Sequence, residues 1–343
     1  MGSAMPEEAS SLDTVAMNYS EAKADAVWGE MRRDPKILVW GTDTKTGLGL
    51  GGPAAFREFG PSRLFDAPIS ENAMVGIGIG AAMMGYRPIV NMMMANFATY
   101  AFDQIINQAS RVRYLFGGQA QVPMVMYMGM QSVAAGGSHH TDRTYPLLMN
   151  VPGLKIVCPT TPTNAKGLWT TAIRDDAPVV IYESNAVSVR REPVPQGEFT
   201  IPFGKGEIVR SGDDVTLVTI FTRTETLAAA DELAAEGVSA DVIDPRTLVP
   251  LDLDLILESV GRTGRLVIAD AANACNGAAS HIAALVADHG FELLRAPIKR
   301  VCTPDVHIPH ARVLEKKVFP TRGRIRAAVL EVLEKRPAVS SGH

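Results

Sequence analysis

The chain has 343 residues, enough for two hydrophobic cores, because single cores stop growing at roughly 250–300 residues. Hydrophobic residues make up 46% and charged residues 20%, which excludes a disordered or fibrous protein. A net charge of −4 supplies no basic face for a polyanion, so no nucleic-acid role is expected.

The first residues, MGSAMPEEASS, are small and polar without an apolar signal core, and residues 1–16 read as a disordered tail. A helix follows from about Ser20, which can cap it, to Arg33, with Ala24, Val27, Trp28 and Met31 on one stripe. Pro35 stops it. Short apolar runs then read as buried strands at 37–40, 88–93, 122–127, 154–157 and 178–182, with helical patterns at 100–114 and 163–174 between them. The longest apolar stretch, Val75 to Gly85, is too short to span a bilayer, so no membrane role is expected.

From 191 to 203 three prolines and the loss of helical period mark a linker. A second alternation follows: strands VTLVTIF, SADVI, RLVIAD and PIKRV, with helices near 225–235, 252–260 and 278–288. The reading is α/β, with two parallel-sheet domains at 17–190 and 204–337. Cys158, Cys275 and Cys302 lack metal-ligand spacing and suit a reducing cytoplasm; Cys158 and Cys302 lie in apolar strand text and are expected to be buried.

The stretch ISENAMVGIGIGAAMMGYRP carries Gly76, Gly78 and Gly80 at alternate positions inside a helix expected over Asn72–Met84. A dinucleotide loop needs its glycines in a strand-to-helix turn and an acid about 20 residues on, so these glycines point to close packing and not to phosphate. Glu71 opens the helix, where the dipole alone favours a carboxylate. No charge follows from Val75 to Met84, so its carboxyl is expected to face a dry interior and exchange a proton near neutral pH.

The series DAPISE (Asp66–Glu71), GIGIGAAMMGYRPI, NFATYAFDQIINQASRVRYLFGG (Asn96–Gly118), AAGGSHH (Ala134–His140), NVPGLKIVCPTTPTNAKGL (Asn150–Leu168) and AIRDDAPVVIYE (Ala172–Glu183) closely resembles the β subunits of thiamine-diphosphate-dependent 2-oxo acid dehydrogenases. Pyruvate, branched-chain 2-oxo acid and acetoin dehydrogenases belong to that family. The second half resembles it through GKGEIVRSGDDVTLV and APIKRVCTPDVHIP. The resemblance implies a transketolase-like pyrimidine-binding domain followed by a transketolase C-terminal domain.

It also implies roles. Glu71 matches the carboxylate that hydrogen-bonds the cofactor's aminopyrimidine ring, Phe97 the aromatic stacked on that ring, and His140 the histidine that assists acyl transfer to a lipoyl group. His139 reads as a loop residue. The chain has no GDG motif, so the resemblance implies a separate α subunit holding diphosphate and magnesium, in an α2β2 heterotetramer served by a lipoyl acyltransferase core. Asp175, with carbonyls of Met124, Ala172 and Ala177, lies where relatives bind potassium.

Three departures stand out. Thr42 occupies the cofactor-lining place of a usual acid, Tyr145 and Asn150 replace substrate-side polar groups, and the loop MYMGMQSVAAGG lacks the usual arginine and proline. The expected activity is decarboxylation of a 2-oxo acid, or cleavage of an acetoin-like ketol. The alternatives are half of a split transketolase or a noncatalytic assembly subunit.

Overall fold

The computed structural model describes residues 13–47, 50–132, 134–185 and 191–334. Residues 1–12 of the expected tail, 186–190 of the first expected domain and 335–337 of the second lie outside these. Two compact units result: the larger runs to Gly204 and takes in Arg246–Pro250, and the smaller comprises Lys205–Pro245 and resumes at Leu251.

The strands of the larger unit are β1 (Thr14–Met17), β2 (Ile37–Gly41), β3 (Leu64–Asp66), β4 (Arg87–Met94), β5 (Val125–Met130), β6 (Lys155–Val157), β7 (Val179–Ser184) and β8 (Glu192–Pro195). Further along come β9 (Glu207–Arg210), β10 (Val215–Ile220), β11 (Ala240–Asp244), β12 (Thr247–Val249), β13 (Leu266–Asn273) and β14 (Lys299–Thr303). The large sheet has the order β12-β6-β7-β5-β4-β2-β3 and is parallel except at β12, which returns antiparallel to β6. The smaller unit's sheet, β14-β13-β10-β11-β9, is parallel except for β9, antiparallel to β11. Both sheets are therefore mixed at one edge, where no helical crossover constrains direction.

Two expected boundaries change. Residues 14–16, assigned to the tail, belong to β1, and 192–195, assigned to the linker, form β8, paired from Thr14↔Pro195 to Met17↔Glu192. Prolines fit here because a two-stranded ribbon leaves half of its amides unladdered. The first helix, α1 (Tyr19–Arg33), is capped by Asn18 and not by Ser20: Asn18 Oδ1 accepts from the Glu21 amide at 2.9 Å and the Glu21 carboxylate accepts from the Asn18 amide at 2.9 Å. This reciprocal box satisfies two orphan donors that Ser20 could not reach.

Strand alternation sorts the core into two faces. Ile37, Val39, Ile89, Val125, Val179 and Ile181 join Val27 and Met31 of α1 and Leu168 and Trp169 of the helix Pro162–Arg174. Trp40 and Val90 point the other way, toward α3, a helix over Glu71–Met83 that follows the short helix α2 (Pro53–Phe59). A Cβ on Gly78 would lie 3.0 Å from Met124 Cε and 3.1 Å from Val90 Cγ2, so glycine lets α3 sit against the sheet. The helix expected over 100–114 is instead a 3-10 segment, Ala95–Ala101, then a π-helical one, Asp103–Ala109, and a single turn at Val112–Leu115. No helix among the described residues is long and apolar enough to cross a membrane.

Within the first face lies a buried ion pair. Lys23 Nζ meets Glu183 Oε2 at 2.8 Å, and Trp169 Nε1 donates to the other carboxylate oxygen at 2.8 Å. The ammonium stands 4.6 Å from the centre of the Tyr127 ring. Burial, reinforced by the negative charge of Glu183, pushes the Tyr19 and Tyr127 hydroxyls well above the ordinary phenol range.

On the C-terminal side of the sheet, β4 turns away from its neighbours. Met93 adopts a left-handed backbone, φ 61°, held by its amide donating to Asn91 Oδ1 at 3.0 Å, and the β4–β5 register shifts between Asn91 and Met94. The facing residue is Gly129, whose Cβ, if present, would lie 2.6 Å from the Met93 carbonyl oxygen.

Two stability outcomes follow from this packing. Glu183→Ala strands a buried ammonium and is expected to lower unfolding free energy by about 3–5 kcal/mol in thermal or urea denaturation, whereas Lys23→Met combined with Glu183→Leu recovers most of it. Gly129→Ala forces β4 and β5 apart and is expected to cost about 1–3 kcal/mol in the same measurement.

Candidate active site

Open parallel sheets bind ligands outside the carboxyl ends of their strands, where neighbouring connections diverge. In the larger unit that point falls between β2 and β4: the chain leaves β2 for β3 on one side and β4 for β5 on the other. Thr42 follows β2, Glu71 follows β3, Phe97 follows β4 and His140 follows β5. All four expected residues therefore lie on segments that leave the same edge of four adjacent strands.

Phe97 and His140 are brought into contact, with ring centroids 5.4 Å apart and planes at 78°, edge to face. Both are half-buried. His139 is exposed and takes no part in this contact. Thr42 is half-buried just after Gly41, a position where a Cβ would lie 2.4 Å from the Asn91 carbonyl oxygen. The tight β2–β4 approach there fixes where the Thr42 loop emerges.

Glu71 is the first residue of α3. Its carboxylate has no hydrogen-bond or ion-pair partner among the described residues, and it is half-buried, not enclosed in the dry interior expected from the charge-free run after it. The reason is that α3 buries only one face: Met74, Val75, Gly78 and Ile79 pack inward, while Ile77, Met83 and Met84 are exposed. An unpartnered, half-buried acid on the same sheet edge as a half-exposed aromatic ring fits a planar heteroaromatic ring bearing hydrogen-bond donors. Among the described residues there is no group of three or more His, Cys, Asp or Glu side chains that could hold a metal ion.

The expected cation set lies at the other edge. Met124 immediately precedes β5, and Ala172, Asp175 and Ala177 precede β7, so one strand length of about 20 Å separates them from the His140 edge. The Asp175 carboxylate already accepts from the Ala177 amide at 2.8 Å and pairs with Lys155. Nearby, the Arg87 guanidinium donates to the carbonyls of Ile173 at 2.8 Å and Arg174 at 2.6 Å, supplying positive charge to a helix C-terminus. The Asp175 carboxylate is thus neutralised from within the chain.

Tyr145 departs from its expected substrate-side position. It is fully buried, its ring 5.6 Å from that of Tyr182 and edge to face with it, so it is a core residue here; Asn150 is exposed. Burial pushes the Tyr182 hydroxyl above the phenol range even though its hydrogen bond with Thr144, 3.1 Å, works the other way. Two polar residues that sequence patterning did not single out also lie here, Asn96 and Asp142, joined side chain to side chain at 2.7 Å. Asn96 was visible as the neighbour of Phe97, but nothing in the sequence links it to a residue 46 positions on.

Cys158 and Cys302 are buried, as their apolar surroundings suggested, and Cys275 is exposed; none of the three is in a disulfide. Burial, with Asp270 nearby, pushes the Cys302 thiol up to about 12.

Comparison with known proteins accords with this fold. Residues 15–187 match the transketolase pyrimidine-binding domain and residues 204–325 the transketolase C-terminal domain. The chain is 40% identical over 332 residues to the β subunit of an acetoin:2,6-dichlorophenolindophenol oxidoreductase from Bacillus subtilis, covering 92% of this chain and 97% of that one. It is 39% identical over 320 residues to a pyruvate dehydrogenase E1 component β subunit from Rickettsia felis, covering 91% and 97%. A solved split-gene transketolase, described as an inactive β4 tetramer, superposes with a TM-score of 0.76 at 24% identity over 93% of this chain and 99% of that one, which speaks to the fold. The chain belongs to the transketolase-like β subunits of thiamine-diphosphate-dependent 2-oxo acid and acetoin dehydrogenases.

Proposed function

We propose that this chain works with an α subunit, as an α2β2 heterotetramer, to decarboxylate a 2-oxo acid or cleave an acetoin-type ketol and pass the resulting fragment to a lipoyl carrier. The observation that carries the reading is the contact of the Phe97 and His140 rings at the strand edge that also presents the unpartnered carboxylate of Glu71. The α subunit brings the diphosphate and magnesium site that this sequence lacks. Ile77, Met83, Met84 and Tyr86, exposed on and just after α3, support a partner covering that helix. Cysteines without disulfides support a cytoplasmic location.

When bound between the two subunits, thiamine diphosphate would supply a nucleophilic carbon for the substrate carbonyl. Glu71 would hydrogen-bond a nitrogen of the aminopyrimidine, and closure of the partner over α3 would complete the desolvation that the isolated chain leaves half done. Phe97 offers an apolar face to the planar ring. His140 delivers a proton from a ring nitrogen to the lipoyl sulfur released when the disulfide opens, while the other sulfur takes the fragment. The two electrons that reduce the disulfide come from oxidation of the fragment to the acyl level. Thr42, at the end of β2, takes part as a cofactor-lining hydroxyl and cannot relay a proton as a carboxylate does.

A monovalent cation such as potassium, if the assembled enzyme takes one, is held by the carbonyls of Met124, Ala172 and Ala177. The first two each accept one backbone amide, from Val179 at 2.9 Å and Asp175 at 3.3 Å, and keep a second lone pair. Its distance from His140 makes that role structural. The paucity of basic side chains from Met128 to His140 disfavours sugar-phosphate ketol transfer.

Glu71→Gln, co-purified with the α subunit, is expected to reduce dye-linked turnover of pyruvate, 2-oxoisovalerate or acetoin by about 10²–10⁴-fold. Assembly, read by size-exclusion chromatography, should be unchanged. Full turnover by this variant would remove Glu71 from the mechanism.

A further inference from the structure

Three hydrogen bonds join the segment after β4 to the segment after β5. Asn96 Nδ2 donates to the Ser138 carbonyl at 3.0 Å and to Asp142 Oδ2 at 2.7 Å, and Asn96 Oδ1 accepts from the Asp142 amide at 3.2 Å. The amide thus uses both of its protons and its oxygen. Its orientation is fixed, because a flipped amide would face its oxygen toward a carboxylate and a carbonyl.

The placement of these partners is what matters. Ser138 and Asp142 lie two residues before and two after His140, while Asn96 is the chain neighbour of Phe97, the ring His140 touches. One side chain therefore grips both ends of the histidine turn and is joined directly to the surface on which the imidazole rests.

Within the turn the Thr141 hydroxyl also donates to the Gly137 carbonyl, and the Arg143 guanidinium donates to the Thr141 carbonyl, but neither bond reaches the segment that carries Phe97. The turn follows a glycine-rich stretch with left-handed residues at Ala135, φ 57°, and Gly137, φ 65°. The backbone tethers of His140 itself are a 3.2 Å bond from the Gln131 amide and a 3.3 Å bond to Gly137. The imidazole nitrogens have no hydrogen-bond partner among the described residues, which leaves them open to a reactant but gives the ring no anchor of its own.

We infer that Asn96 and Asp142 are positioning residues: their clasp sets the His140 imidazole against Phe97 for transfer to the lipoyl sulfur, and it serves the transfer step and not the cofactor-activation step. The inference rests on the reading of His140 as the transfer histidine. Proton transfer requires its donor within hydrogen-bond reach of the accepting atom, so a turn free to swing loses rate without losing the fold.

The test uses the co-purified αβ complex with pyruvate, 2-oxoisovalerate and acetoin as probes and two readouts, dye reduction and acylation of a free lipoyl domain. Asn96→Asp places like charges face to face, and Asp142→Leu removes the acceptor. Each is expected to lower lipoyl transfer by about 10-fold or more while dye reduction stays within about twofold. Asp142→Asn retains an oxygen toward Asn96 and should keep transfer near the unmodified level. Added to His140→Ala, Asn96→Asp should remove no more than about twofold further, since a residue acting through His140 has nothing left to position. In the β chain without cofactor, deuterium uptake of the peptide spanning 137–144 should rise in Asn96→Asp and Asp142→Leu and not in Asp142→Asn. Equal loss in both readouts, or a full additional loss on the His140→Ala background, would overturn the clasp as a positioning device. Undiminished transfer by His140→Ala would instead overturn the histidine reading, a result separable from the first.

Discussion

The arrangement of the candidate site depends on how β4 leaves its sheet. A strand flanked on both sides by parallel neighbours has nowhere to go at its end except up and over one of them. Here the exit is a left-handed residue, Met93, whose carbonyl turns into the space that a side chain on β5 would fill. Only because position 129 carries no side chain can the two strands stay paired through the bend. Backbone strain of this kind costs of order 1–3 kcal/mol and persists where surrounding structure overdetermines it. The Asn91 side chain, bonded to the Met93 amide, does part of that work. The bend delivers Asn96 and Phe97 alongside the turn that carries His140, so aromatic contact and clasp are downstream of one local conformational choice.

The two ends of the large sheet carry different electrostatics. At the carboxyl edge Glu71 and the His140 imidazole are left without polar partners among the described residues. At the amino edge Arg87 and Lys155 engage the helix end and the aspartate facing them. Between the edges, on one face, the Lys23–Glu183 pair is buried with every carboxylate oxygen used. The scaffold pairs named here are thus satisfied internally while Glu71 and His140 stay open to a ligand, although a buried donor without a partner also occurs on the scaffold, at Trp28 Nε1 of α1. That contrast is a physical reason to place chemistry at one edge, independent of any relative.

Much of this was legible in the sequence and some was not. Strand and helix alternation, the failed phosphate loop, and the match of Glu71, Phe97 and His140 to family motifs all came from residue order, because parallel α/β units write their period and their loop residues locally. The antiparallel edge strands were not legible: Thr247–Val249 and Glu207–Arg210 are three and four residues long, too short to show a period. The capping of α1 was misread by two residues because Ser20 and Asn18 are both good caps, and only the reach of Glu21 decides between them. Tyr145 looked like a substrate-side residue from its place in the family pattern, yet its partner Tyr182 lies 37 positions away, and only the fold discloses that the two rings bury each other. The half-exposure of Glu71 was hidden for a different reason: a charge-free helix can be apolar because it is inside the chain or because another molecule covers it, and composition does not tell these apart.

That last ambiguity has a cellular side. Along α3, Gly80 stands open with no atom within 4 Å of where a methyl would be, flanked by exposed Ile77, Met83 and Met84. Such a surface is harmless when covered and adhesive when bare. On the proposal that the α subunit covers this helix, a cell that made this chain in excess of the α subunit would accumulate sticky intermediates, which ties the tolerable rate of synthesis of one polypeptide to that of the other. Matched translation of the two becomes a requirement imposed by one uncovered face.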